Sequence, residues 1–167
     1  KGAKTSGVTL HQMVEKPDAG AIIEQRSCAI GDNETAGELA EKMRPLSLDI
    51  LKTAMPDLLT GQQKKTFVDI KVGSYFGRRK PDDGRLDPLT QTAQEVHNLV
   101  RALQPAPQYP SAFLEIAGHK FFVHKTDVSA ALPTDTIENA RIGMLYTVAD
   151  QEKWLYCKNG TWVKIYA

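Results

Sequence analysis

Gln104-Pro105-Ala106-Pro107-Gln108-Tyr109-Pro110 sets three prolines in seven residues, and the hydrophobic period differs on its two sides. Each proline fixes φ and removes a backbone donor, so neither a helix nor a central strand can run through the stretch. Upstream, the longest periodic segments repeat every three or four residues. Downstream, the period is two and turns are frequent. A chain interrupted in this way is expected to fold in two parts. The first is mixed α/β up to about residue 90, and the second is a helix with a small antiparallel β unit.

The first part opens with strand formers over 7–14, a loop at Glu15-Lys16-Pro17-Asp18-Ala19-Gly20, and a second strand over 21–30. Thr35 and Glu38 have capping-box spacing, and Leu39, Met43, Leu46, Ile50, Ala54 and Leu58 then mark one face of a long helix. Pro45 predicts a kink or break in it, and Gly61 its end. Residues 66–76 read as extended. Gly77-Arg78-Arg79-Lys80-Pro81-Asp82-Asp83-Gly84-Arg85 reads as a basic-then-acidic loop. Thr92 with Glu95 predicts a second cap, opening a helix that buries Val96, Leu99, Val100 and Leu103. Residues 112–117 and 120–128 are expected to form a hairpin about Gly118-His119. Strands over 143–149, 153–158 and 161–166 follow, the last two joined at Asn159-Gly160.

Composition excludes several classes. A net charge of +1 gives no electrostatic reason to expect nucleic acid. No stretch approaches the roughly 18 apolar residues of a membrane span, so no membrane partner is expected. Cys28 and Cys157 both lie in apolar stretches and read as buried thiols of a reducing cytoplasm. No cysteine–histidine cluster has zinc spacing, and no metal is expected. The chain starts at Lys1 and stops within a strand pattern, so a longer protein is expected.

Thr9-Leu10-His11-Gln12-Met13, followed by Asp18-Ala19-Gly20-Ala21-Ile22-Ile23-Glu24-Gln25, resembles the folate-dependent N-formyltransferase family. That family includes methionyl-tRNA formyltransferase and the sugar-nucleotide N-formyltransferases. The resemblance continues through Phe76 to Gly84, Val96 to Leu103, Pro110-Ser111-Ala112-Phe113, Gly143-Met144-Leu145 and Lys158-Asn159-Gly160, in family order. It implies an α/β fold. A partial Rossmann-like domain, the C-terminal half of the catalytic domain, would occupy 1–90, and a helix plus a small OB-like antiparallel β-barrel would occupy 91–167. It also implies a reaction, formyl transfer from 10-formyltetrahydrofolate to a primary amine.

In the family an Asn, a His and an Asp form the site, and the Asp of the Asp-x-Gly motif falls on Asp18. Val14, Glu15, Lys16, Pro17 and Asp18 match the folate-contacting loop. A carboxylate beside a histidine raises the imidazole's proton affinity, as a base that takes a proton from the attacking amine requires. An Asn amide stabilises the developing oxyanion. The family's Asn-x-His-Pro-Ser motif is absent here, and His11, His97, His119 and His124 are not at the matching place. The segment alone is therefore expected to be inactive.

The Phe-Gly-Arg-Arg-Lys-Pro-Asp-Asp-Gly stretch resembles the sugar-nucleotide branch, with Arg78 and Arg79 as candidate diphosphate ligands. The expected partner is a nucleotide-linked amino sugar. Methionyl-tRNA, which near-neutral charge disfavours, and a non-catalytic remnant or interaction module are the alternatives. A homo-oligomer is left open. Trp154, Tyr156 and Trp162 resemble a base-stacking platform, but barrel core and cross-strand pairs are the expected role.

Overall fold

The structure is a computed structural model that describes residues 1–105, 110–131, 137 and 139–166. Most of the proline stretch, 106–109, lies outside the described residues. The chain forms two compact units, one of residues 3–32 and 38–78, the other of 1–2, 33–37 and 79–167.

In the first unit, β1 (Thr5–His11) pairs antiparallel with β2 (Ile22–Ala29), Val8 opposite Arg26 and Leu10 opposite Glu24. Pairing shifts between Leu10 and His11, where the strand gives way to the loop. The helix α1 (Ala36–Thr60) then runs unbroken through Pro45 and Pro56, so no break occurs at Pro45. Its continuity follows from the stripe read in the sequence: Ile50 and Ala54 are buried and Leu39, Met43, Leu46 and Leu58 half-buried. Gly61 stops it at φ 72°. The Gly61 amide donates to Leu58 (3.3 Å) and the Gln62 amide to Asp57 (2.8 Å), the bond pair of a left-handed glycine cap.

The extended stretch expected over 66–76 is not formed. Thr66 bridges Ile22, a short 3-10 turn covers Ile70–Val72, and the remainder is irregular. Phe67, Val72 and Tyr75 are exposed, and past Thr66 the strand-forming residues here join no sheet among the described residues.

The second unit is better buried. Thr92 caps α2 (Ala93–Ala102): its hydroxyl accepts the Glu95 amide, and the Glu95 carboxylate accepts the Thr92 amide. Val96, Val100 and Leu103 are fully buried against Leu155, Cys157, Val163 and Ile165. Each such side chain stabilises the fold by about 1.5–3 kcal/mol.

β3 (Phe113–Ile116) and β4 (His119–Phe122) form a hairpin. Its turn is Ala117-Gly118, at φ 51° and 78°, one residue earlier than expected. β5 (Lys125–Asp127) is not part of that hairpin; it pairs with β8 (Thr161–Tyr166), which pairs with β7 (Lys153–Cys157), which pairs with β6 (Leu145–Thr147). Asn159 and Gly160 turn at φ 61° and 70°, but Cys157 pairs with Thr161, so the connection is the three residues Lys158–Gly160, one more than the sequence predicts. The named strands pair antiparallel and the four-stranded sheet is open, which defines a mixed α/β fold.

Candidate functional site

Asp18 lies in the loop that joins β1 to β2. The Gln12 amide donates to the Ala21 carbonyl at 2.9 Å and closes the loop's base. Next to it, Ile22 and Thr66 exchange backbone hydrogen bonds of 2.8 Å in each direction. Gly20 makes the closure feasible: a Cβ there would sit 1.6 Å from the Gln12 carbonyl oxygen. The glycine of the Asp-x-Gly pattern is thus required by a backbone crossing, and the aspartate two residues earlier is held by it.

Within the loop, the Ala19 amide donates to Lys16 at 3.3 Å, with Pro17 and Asp18 at the two central positions. Asp18 has φ 58°. Proline followed by a positive φ is the pattern of a type II turn, where glycine is the usual occupant of the second place. Aspartate is one of the few non-glycine residues that tolerate such a left-handed backbone, and here it sits on an exposed turn. Val14, Glu15, Lys16 and Pro17 are exposed on the same loop, as is Met13. His11, at the end of β1, places Nδ1 3.1 Å from the Gln12 carbonyl oxygen.

Arg78 and Arg79 are exposed, and neither meets a carboxylate among the described residues. The nearby acids are engaged elsewhere. Asp83 accepts the Lys80 amide at 2.6 Å, and Asp82 faces Lys120 at 3.7 Å. Gly84 is buried, and a Cβ on it would lie 2.3 Å from the Ser111 carbonyl oxygen, so this glycine too is dictated by packing. Arg101 donates to Asn98 and to the Glu34 carbonyl, each at 2.9 Å, which ties residues 33–37 to α2.

His97 is buried with Nδ1 2.9 Å from the Thr126 hydroxyl, a structural pair. Trp154 is buried, and Tyr156 stacks on Trp162 with centroids 4.2 Å apart. The aromatic residues therefore face one another or the core. Cys157 is buried, and burial pushes its thiol up to about 12, while Cys28 is only half-buried. Among the described residues no group of three His, Cys, Asp or Glu could hold a metal ion, and no helix is long and apolar enough to cross a membrane.

A cleft of about 510 Å3 in the second unit was not read in the sequence, and none of the candidate residues above lines it. It is lined by residues 85–89, by β3 and by Gly143-Met144-Leu145.

These features match a known family. The model described as formyl transferase, C-terminal domain, matches residues 78–167, and the model described as formyl transferase matches residues 1–55. The chain belongs to the formyl transferase family.

Among solved structures, it is similar to WlaRD, a sugar 3N-formyl transferase crystallised in the presence of dTDP and 5-N-formyl-THF. The TM-score is 0.70 at 23% identity, over 98% of this chain and 55% of that one. An N-formyltransferase from Helicobacter canadensis, in complex with folinic acid and dTDP-3-aminofucose, gives 0.69 at 21%, over 98% and 56%. HypX from Aquifex aeolicus in complex with tetrahydrofolic acid gives 0.68 at 18%, over 98% and 27%. The chain spans about half the length of the two sugar enzymes, and at these identities the likeness is one of fold.

Proposed function

We propose that the chain is the C-terminal portion of an enzyme that moves a formyl group from 10-formyltetrahydrofolate to the amine of a nucleotide-linked amino sugar. In this reading residues 1–90 complete a Rossmann-like catalytic domain, and 91–167 form a helix and an OB-like subdomain. The enzyme works in the cytoplasm. The observation that carries the reading is the Lys16–Ala19 turn, which presents the Asp18 carboxylate on an exposed loop whose base is fixed by the close approach of Gly20 to Gln12. The sugar-nucleotide and folate ligands named for the two sugar enzymes support the substrate class.

The loop suits a folate. Val14 and Met13 offer exposed apolar surface to a flat ring, and Glu15, Lys16 and Pro17 surround it with polar and rigid backbone. Bound there, the folate supplies the formyl group. Asp18 acts by charge: its carboxylate stabilises a neighbouring imidazolium and so strengthens that imidazole as the base for the amine proton. Arg78 and Arg79, which meet no carboxylate among the described residues, bind the diphosphate through their planar forks.

The test is formyl transfer by the complete protein with a panel of amino-sugar nucleotides and charged tRNA, read as product mass. Asp18→Asn is expected to lower kcat by about 10²–10⁴-fold, the usual contribution of acid–base assistance. Undiminished turnover would remove Asp18 from the mechanism. Arg78→Ala with Arg79→Ala should raise the KM for the sugar nucleotide and leave the KM for the folate unchanged.

A further inference from the structure

In the first unit the chain passes Thr66, whose backbone pairs with Ile22 beside the Gln12–Ala21 hydrogen bond at the base of the Asp18 loop. The stretch that follows, as far as Arg78, forms no strand. Phe67, Tyr75 and Phe76 present their rings to solvent there, 78%, 92% and 64% exposed. Single exposed apolar side chains are ordinary on a protein surface, so exposure by itself selects none of the three.

Three features single out Tyr75. In the second unit Phe113 meets Phe122, and Trp162 meets both Tyr146 and Tyr156. Tyr75, by contrast, has no ring contact and its hydroxyl no hydrogen-bond partner among the described residues, whereas the adjacent Phe76 already has a partner. Next, Tyr75 Cε1 lies 4.0 Å from the place a Cβ on Gly77 would take. Gly20 and Gly84 are dictated by collisions and Gly61 by a positive φ; Gly77 meets neither condition. What its missing side chain leaves is open space along the edge of the Tyr75 ring. Last, Tyr75 and Arg78 are three residues apart, at most about 10 Å of chain. A nucleoside diphosphate, with a flat base at one end and two phosphates at the other, fits a span of that order. Phe67 stands eleven residues from Arg78, and the chain sets no such limit on it.

We propose that Tyr75 is the residue that reads the nucleobase: its ring stacks on the base, alongside the bare backbone of Gly77, while Arg78 holds the diphosphate. The assignment rests on Arg78 being the diphosphate ligand of the site proposed above. Stacking draws on the π face that every base carries and on no hydrogen-bond pattern. Tyr75 therefore makes the site prefer a nucleotide-linked substrate to a sugar phosphate or a bare diphosphate, without choosing among bases.

Calorimetric titration of the complete protein with dTDP and, separately, with inorganic pyrophosphate tests this. Tyr75→Ala is expected to weaken dTDP binding by about fivefold or more, the loss of one base–aromatic stack, and to leave pyrophosphate binding unchanged. Tyr75→Phe keeps a flat ring and should bind dTDP as the unaltered protein does. Arg78→Ala should weaken both ligands. So exposed a side chain supports no core, and the circular dichroism of Tyr75→Ala should match that of the unaltered protein. Unchanged dTDP binding in Tyr75→Ala, with Arg78→Ala still weakening both ligands, overturns the role of Tyr75 and leaves the diphosphate site standing. Equal weakening of dTDP and pyrophosphate by Tyr75→Ala also overturns it, because the residue would then only support the segment. Binding of both ligands indifferent to Arg78→Ala removes the diphosphate site, and the assignment of Tyr75 with it.

Discussion

At residue scale, the two motif glycines are explained by collisions and the motif aspartate by its place in the turn that one of them closes. Gly20→Ala would set a Cβ 1.6 Å from the Gln12 oxygen. Because the obstacle is backbone, the loop must open, at about 1–3 kcal/mol, the cost of overpacking. Chemical denaturation measures the loss, and the same variant should lose formyl transfer as Asp18 is displaced. Asp18→Gly makes the opposite prediction. Glycine accepts φ 58° without steric penalty. Stability is therefore expected to hold or rise by up to about 1 kcal/mol while turnover is lost. Undiminished turnover in that variant would count against a functional aspartate. The two cysteines should separate as well. With its thiol pushed up to about 12 by burial, Cys157 is expected to resist a thiol reagent until the protein unfolds, and half-buried Cys28 to react first.

At the scale of elements, the sheet of the second unit has a pH dependence set by a cross-strand cluster. Glu152 accepts from Lys164 Nζ and, at 3.1 Å, from Trp154 Nε1. The Lys164 hydrogen bond first, then that of Trp154, holds the Glu152 carboxyl below the ordinary range, and the same carboxylate raises Lys164. A lowered acid stabilises the fold above its unfolded pKa, and that contribution is lost as pH falls through the lower folded value. A raised base contributes below its unfolded pKa and loses this as pH rises through the higher folded value. Glu152→Gln should therefore flatten both limbs of a melting-temperature profile against pH. The cap of α2 adds an independent check. Thr92→Ala should cost about 1 kcal/mol, because Glu95 then loses the hydroxyl that it shares with its own amide.

At the scale of the whole molecule, the two units differ in what they bury. In the first, Ala21, Ile50 and Ala54 are the buried apolar residues among those described, while Leu48, Leu51, Met55, Leu59, Phe67 and Tyr75 are exposed. The second buries α2 against three strands, with Trp154, Leu155 and Val163 nearly inaccessible. Apolar burial is the main favourable term in folding, so hydrogen exchange on residues 1–167 should open 3–32 and 38–78 well before the strands of the second unit. Equal protection in both would contradict this.

Sequence by itself determined the local events. Periodicity gave α1 and α2, spacing gave the Thr92–Glu95 cap, and left-handed tolerance gave the Asn159-Gly160 turn, because each depends on residues a few places apart. The family resemblance drew Asp18 out of a turn that spacing alone would leave as a turn. Tertiary structure decided which strand meets which. Past Thr66, which bridges Ile22, residues 67–76 have strand composition but pair with no strand among the described residues, β5 joins β8 rather than β4, and the edges of β3 and β6 flank one cleft. The reason is physical: strand pairing is satisfied by backbone groups that every residue carries, so the sequence marks a strand without naming its neighbour.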